Sequence, residues 1–228
     1  MEIIPSILTQ SPEEALTVLR ALRNGPTWIQ IDVVDGVFAG DVATWPLTDS
    51  GWSSMKAGEG SLPEWDQFLF EADLMVSNPK EMAEHMVNAG AARLIFHAES
   101  APDDELIELI EFYGDTTECG IAFQLTQNPE EHLSLIEAAR VVQVMGVDPI
   151  GAQGRPFDIR CLEHIALVNS IRPDVPIQVD GAVSLDNILE LQKHGVDRVA
   201  PGSYIMKAEN PKAAYRLLYT EANGTFGE

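Results

Sequence analysis

From the amino terminus onward, short apolar runs alternate with amphipathic stretches, and the alternation hardly breaks. Residues 2–4 form a first apolar run, which leads through Pro5-Ser6-Ile7-Leu8 to Ser11-Pro12-Glu13-Glu14. There an N-cap serine, a proline at the first helical position and two acids in the first turn predict a helix. Further apolar runs lie at 28–34, 69–76, 93–97, 119–125, 141–147, 177–179 and 198–200. Helical patterns fill the gaps at 80–88, 103–112, from Asn128-Pro129 onward, 157–171 and 184–194, and a last one follows near 211–219. Strands this uniformly apolar suit a parallel sheet covered by helices. Strand and helix alternating about eight times predict a (β/α)8 TIM barrel, an architecture of about 250 residues. The 228 residues are therefore read as one such domain, 1–228. One stretch departs from the pattern: residues 40–65 carry Gly, Ser, Pro and the tryptophans Trp45, Trp52 and Trp65 with no amphipathic period. This is expected to be a long irregular loop over one rim, either packing its tryptophans on the barrel wall or serving as a lid.

Charge narrows the choice of partners. Thirty-six acidic residues against 14 basic ones leave a formal net charge of −22, which repels nucleic acid and anionic membrane surfaces. No apolar run approaches the ~18 residues of a membrane span, and Met1-Glu2-Ile3-Ile4-Pro5 lacks a basic leader, so a cytoplasmic location is expected. Cys119 falls in an apolar run and Cys161 in a helical pattern, which predicts reduced core thiols rather than a disulfide framework or thiolate metal site.

In parallel barrels, reacting groups sit where strands end. The residues closing the apolar runs are Pro5-Ser6-Ile7-Leu8, Trp28-Ile29-Gln30-Ile31-Asp32-Val33-Val34-Asp35-Gly36, Leu74-Met75-Val76 before Asn78-Pro79, Val144-Met145-Gly146-Val147, Val179-Asp180-Gly181 and Pro201-Gly202-Ser203. Singly these are ordinary turn sequences. In this order and spacing they resemble the ribulose-phosphate 3-epimerase family over nearly the whole chain.

The resemblance implies the ribulose-phosphate-binding version of the barrel, a small phosphorylated sugar as ligand and a homo-oligomeric assembly. It also implies interconversion of D-ribulose 5-phosphate and D-xylulose 5-phosphate by two-base proton transfer at C3 through an enediolate. The acid/base pair it points to is Asp32 and Asp180. Ser6, Met75 and Met145 match residues beside the substrate, and Gly181, Gly202 and Ser203 match the phosphate site. The sixth-strand loop, Asp148 to Phe157, has displaced glycines, so Gly151, Gly154 and Arg155 are offered as its phosphate contacts. Val34 stands where the family has a further methionine.

The family holds a divalent metal with two histidines and the two aspartates, whereas this chain has Gln30 and Asp73 at the histidine positions. Gln30, Asp32, Asp73 and Asp180 would make an all-oxygen ligand set, suited to Mg²⁺ or Mn²⁺ rather than zinc. Three aspartates at one barrel mouth cannot all stay ionised without a cation or a proton. Three outcomes stay open: a harder metal, a metal-free site with a neutral carboxyl group, or a phosphosugar-binding barrel without epimerase activity. A sugar-phosphate lyase or decarboxylase on the same barrel is a further alternative, although no lysine follows Asp32 or Asp73 as Asp-x-Lys-x-x-Asp would require. His97 is read as a structural histidine, since the metal positions lie on other strands, and His85, His132, His164 and His194 as surface or packing residues.

Overall fold

The computed structural model describes residues 1–152 and 154–225. Among these residues, nine strand segments, all parallel, run as β1 (Glu2–Ile3), β2 (Ser6–Ile7), β3 (Trp28–Val34), β4 (Leu69–Met75), β5 (Ala91–His97), β6 (Glu118–Phe123), β7 (Val142–Met145), β8 (Ile177–Asp180) and β9 (Arg198–Ala200). Sheet order is β1-β9-β8-β7-β6-β5-β4-β3-β2. The two ends of this sheet are halves of one strand interrupted at Pro5, which has no N–H to donate. Ile4 N donates to Val199 O on one side at 2.8 Å, and Pro5 O accepts from Gln30 N on the other at 2.9 Å, so the sheet closes on itself as a TIM barrel.

Among the described residues, nine helices follow the strands: α1 (Pro12–Leu22), α2 (Trp52–Lys56), α3 (Pro79–Ala89), α4 (Asp103–Tyr113), α5 (Leu133–Ala138), α6 (Arg160–Ile171), α7 (Ile188–Lys193), α8 (Ser203–Met206) and α9 (Pro211–Asn223). Helices α1, α3 and α9 start alike, with proline first and the preceding Ser11, Asn78 or Asn210 side chain accepting from a backbone N–H three residues on. That bond satisfies one of the donors every helix start leaves open. The Asn128-Pro129 signal yields one 3-10 turn, Pro129–His132, before α5. Two other helices begin later than their amphipathic patterns, α6 at Arg160 and α7 at Ile188, because the residues before them form the loops that rim the barrel mouth.

Segment 40–65 carries the short helix α2 and is tied down near the mouth. Thr44 Oγ1 donates to Asp32 O at 2.7 Å and accepts from Val34 N at 2.9 Å. Of its tryptophans, Trp45 is buried and Trp52 packs against the core, whereas Trp65 is 67% exposed, contrary to the expected wall packing. Its first turn meets the loop after β7 at two glycines, Gly40 (φ +64°) and Gly151 (φ +84°). A Cβ on Gly151 would stand 2.7 Å from Gly40 N, so only glycine permits this approach.

Outward-facing residues such as Ile29, Ile31, Leu94 and Ile121 join those of α1, α3 and α6 in the main apolar core. The barrel interior is different. On one side Ile95, Ala122 and Val141 fill it, with Gly120 making room, while on the other Gln30, Glu71, Arg93, Gln143 and Gln178 lie buried. Barrel interiors are usually layered with branched aliphatic side chains, so this polar layer stands out.

Candidate active site

The polar layer lies one step below the strand ends. Strand side chains alternate between faces, so Gln30, Glu71, Gln143 and Gln178 point inward just beneath Asp32, Asp73, Met145 and Asp180, each two residues further on. Register sets them side by side, with Gln30 opposite Glu71, Asp32 opposite Asp73, Gln143 opposite Gln178 and Met145 opposite Asp180.

Asp32, Asp73 and Asp180 converge so closely that one oxygen from each lies within 4.8 Å of the others. Asp32 and Asp180 line the cleft at the barrel mouth, together with Ser6, Met75, Met145, Gly151, Gly154, Arg155, Gly181, Gly202 and Ser203. Asp73 and Gln30, fully buried, are absent from that lining and lie beneath it. Above the carboxylates, Val34, Met75, Met145, Ala39 and Ile150 form a small apolar cluster with Leu8 and Phe38 packed on it.

Each acid has its own partners. Asp32 accepts from Ser6 Oγ at 3.0 Å and Gln30 Nε2 at 2.8 Å. Asp73 accepts from Gln143 Nε2 at 3.2 Å and lies 2.9 Å from His97 Nε2. His97 is fully buried and supports Asp73 from beneath the cleft, in keeping with a structural histidine. Burial first, and then the charge of Asp73, pushes Asp32 up to about 8, although the bonds from Gln30 and Ser6 oppose the shift. Burial and the charges of Asp32 and Asp73 raise Asp180 well above the carboxylate range. For His97, burial opposes protonation, but the charge and hydrogen bond of Asp73, with Glu99 and Asp32, outweigh it and raise the imidazole.

The three carboxylates fit a hard divalent cation: three buried oxygens face a common point, and their crowding favours any positive charge placed among them. Gln30 does not join them as expected. It turns its NH₂ to Asp32, while its carbonyl oxygen accepts from Gln178 at 3.1 Å, so the ligating end of the amide faces away.

At the other end of the cleft, Gly146 N donates to Asp180 O at 2.6 Å, and a Cβ on Gly146 would stand 2.2 Å from Gly181 O. Only glycine lets the β7 and β8 loops pinch together here. Arg155 stands exposed on the rim, and a Cβ on Gly154 would come within 3.1 Å of Lys207 Nζ. Sequence reading missed Lys207, which has no motif, and also Gln143 and Gln178. The last two carried a signal, being polar residues two positions before Met145 and Asp180 inside apolar runs.

Comparison with known proteins supplies independent findings. Solved structures sharing the fold include 3-hexulose-6-phosphate synthase from Salmonella typhimurium (17% identity, TM-score 0.73, covering 97% of this chain and 98% of that one). Another is KGPDC from Streptococcus mutans in complex with D-R5P (15%, TM-score 0.72, 99% and 98%). Among curated relatives, the ribulose-phosphate 3-epimerase of Helicobacter pylori is 28% identical over 223 residues, 96% of each chain. The cytoplasmic isoform from Oryza sativa is 28% identical over 230 residues, 98% of this chain and 95% of that one. The profile of the Ribulose-phosphate 3 epimerase family matches residues 2–206, and the chain belongs to that family.

Proposed function

We propose that the protein interconverts D-ribulose 5-phosphate and D-xylulose 5-phosphate, with Asp32 and Asp180 as the two acid/base groups acting at C3. Inverting a carbon beside a ketone needs one group to remove the proton on one face and another to deliver one to the opposite face. An ionised carboxylate takes the C3 proton, leaving an enediolate. The protonated partner then returns a proton to the other face, and the roles exchange in the reverse reaction. Such a pair needs one member ionised and one protonated: burial and mutual repulsion, which raise both Asp32 and Asp180, keep a proton available for delivery, and a cation held among the three carboxylates would favour ionisation of the other. The apolar ceiling of Val34, Met75 and Met145 keeps bulk water from competing for the enediolate.

With Asp32, Asp73 and Asp180 as its holders, Mg²⁺ or Mn²⁺ would supply positive charge for the developing enediolate oxygens. Phosphate is assigned to the end of the cleft lined by Gly151, Gly154, Gly181, Gly202 and Ser203, with Arg155 and Lys207 as counter-charges. In a chain of net charge −22, these two cations draw a dianion toward a mouth that already holds acids.

The reading rests on one observation: two strand-end carboxylates, Asp32 and Asp180, line a single cleft under an apolar ceiling. Its test is incubation with ribulose 5-phosphate in D₂O, with and without Mn²⁺, followed by NMR. Deuterium should enter at C3 of the xylulose 5-phosphate formed, and Asp32→Asn and Asp180→Asn should each abolish the interconversion. Absence of label in the wild type under both conditions overturns the assignment. Calorimetric binding of the sugar phosphate without exchange would then favour a non-epimerising phosphosugar-binding barrel.

A further inference from the structure

The polar layer beneath the carboxylates has a direction built into it. Arg93, which can only donate, gives Nη1 to Glu71 Oε2 at 2.6 Å, and its guanidinium lies 4.0 Å over the Trp28 ring. Glu71 Oε1 accepts from Gln178 Nε2 at 2.5 Å. Gln178 Nε2 also faces Gln30 Oε1 at 3.1 Å and Gln143 Oε1 at 2.8 Å, so its two hydrogens are shared among three acceptor oxygens, Glu71 at the shortest distance and Gln30 at the longest. Turning the Gln178 amide over would set its carbonyl against three oxygens, so Glu71 forces its NH₂ inward, even though Gln178 Oε1 is then buried without a partner among the described residues. By facing the carbonyls of Gln30 and Gln143, that NH₂ leaves both of their NH₂ groups aimed upward. Gln30 meets Asp32 and Gln143 meets Asp73.

We infer that Glu71, held by Arg93, is a positioning residue that acts through Gln178 to point the Gln30 and Gln143 amides at Asp32 and Asp73, and so holds Asp32, one of the acid pair, and its neighbour Asp73 in their working orientation. Neither Glu71 nor Gln178 lines the cleft, so neither touches substrate. Packing alone gives no reason for the arrangement, since an aliphatic layer would fill the same space without burying charge. Every amide in the chain takes its direction from the one before it, beginning at a carboxylate whose two oxygens both face nitrogen donors. The inference builds on the epimerase reading, and one of its measurements does not depend on that reading.

Three variants test it. Glu71→Gln keeps shape but can offer NH₂ to Gln178, which removes the imposed direction. Glu71→Asp keeps the acceptor and loses a methylene. Gln178→Met removes the donor. Residues that orient reacting or ligating groups typically change function by about 10–100-fold, so Glu71→Gln and Gln178→Met should each lower kcat about tenfold or more, with KM for ribulose 5-phosphate within about twofold. Glu71→Asp should retain more kcat than Glu71→Gln while melting at a lower temperature. The double variant Glu71→Gln/Gln178→Met should be no slower than Gln178→Met alone. In parallel, ¹⁵N spectra of the unliganded protein should show slowly exchanging side-chain amides of Gln30, Gln143 and Gln178, and Glu71→Gln should remove their protection. Unchanged kcat in Glu71→Gln, or kcat tracking melting temperature across all variants, overturns the inference. If the wild type proves unable to epimerise, the amide spectra decide: protection surviving in Glu71→Gln overturns it, and loss of protection supports it.

Discussion

Replacing Asp32 by asparagine should make the metal-free protein inactive and more stable. Asp32 is raised from its ordinary value of 3.8 to about 8, burial being the largest cause and the charge of Asp73 the next. An acid raised on folding binds its proton more tightly in the folded chain than in the unfolded one, so between pH ~4 and ~8 stability falls as pH rises. At pH 7 the unfolded chain has released a proton that the folded chain keeps, a difference of about 4 kcal/mol at about 1.36 kcal/mol per pH unit. Asparagine removes that requirement, and it also relieves Asp180, which Asp32 helps to raise. Against this, Ser6 and Gln30 both donate to Asp32, and an amide NH₂ cannot accept both bonds, which costs about 1–2 kcal/mol. The net gain is about 2 kcal/mol, or about 4–8 °C in melting temperature for a chain of this size. Thermal unfolding would be followed in EDTA from pH 5 to 8, with the exposed Asp104→Asn as control for the loss of one negative charge. The gap between Asp32→Asn and wild type should widen with pH, and Mn²⁺ should raise the wild type more than the variant. A variant that melts at or below the wild type at pH 7 in EDTA, with the same pH slope, refutes the account.

Other expectations follow from the same geometry. Arg155→Ala should raise KM for ribulose 5-phosphate about tenfold, the loss of one charge-assisted contact of about 1.5 kcal/mol, with a smaller effect on kcat; steady-state kinetics would show it. Gly151→Ala meets both a φ of +84° and Gly40 N at 2.7 Å, so it should separate segment 40–65 from the β7 loop. Raised KM and faster proteolysis near residue 40 are the readouts. The net charge of −22 places like charges all over the surface, so 1 M KCl, which shortens the Debye length to about 3 Å, should raise the melting temperature. A melting temperature independent of KCl would count against surface repulsion as a destabilising force.

Much of this architecture was legible along the chain because its signals are local. Apolar runs of strand length, and the Ser-Pro and Asn-Pro starts of α1, α3 and the turn before α5, state their own conformation through capping and fixed φ. Strand-end residues such as Asp32, Asp180, Gly181 and Ser203 could be picked out for the same reason, since a parallel barrel gathers strand ends at one rim. What a side chain meets across the barrel is not local. That His97 would reach Asp73, that Gln30 would turn its NH₂ rather than its oxygen upward, and that Gln143 and Gln178 would join one network depend on strands up to 148 residues apart in sequence. Packing likewise sent Trp45 inward and left Trp65 in solvent, though both sit in the same irregular segment. Sequence by itself determined which residues stand at the mouth. Only closure of the sheet decided how they are aimed, because hydrogen-bond direction and burial come into being when distant strands meet.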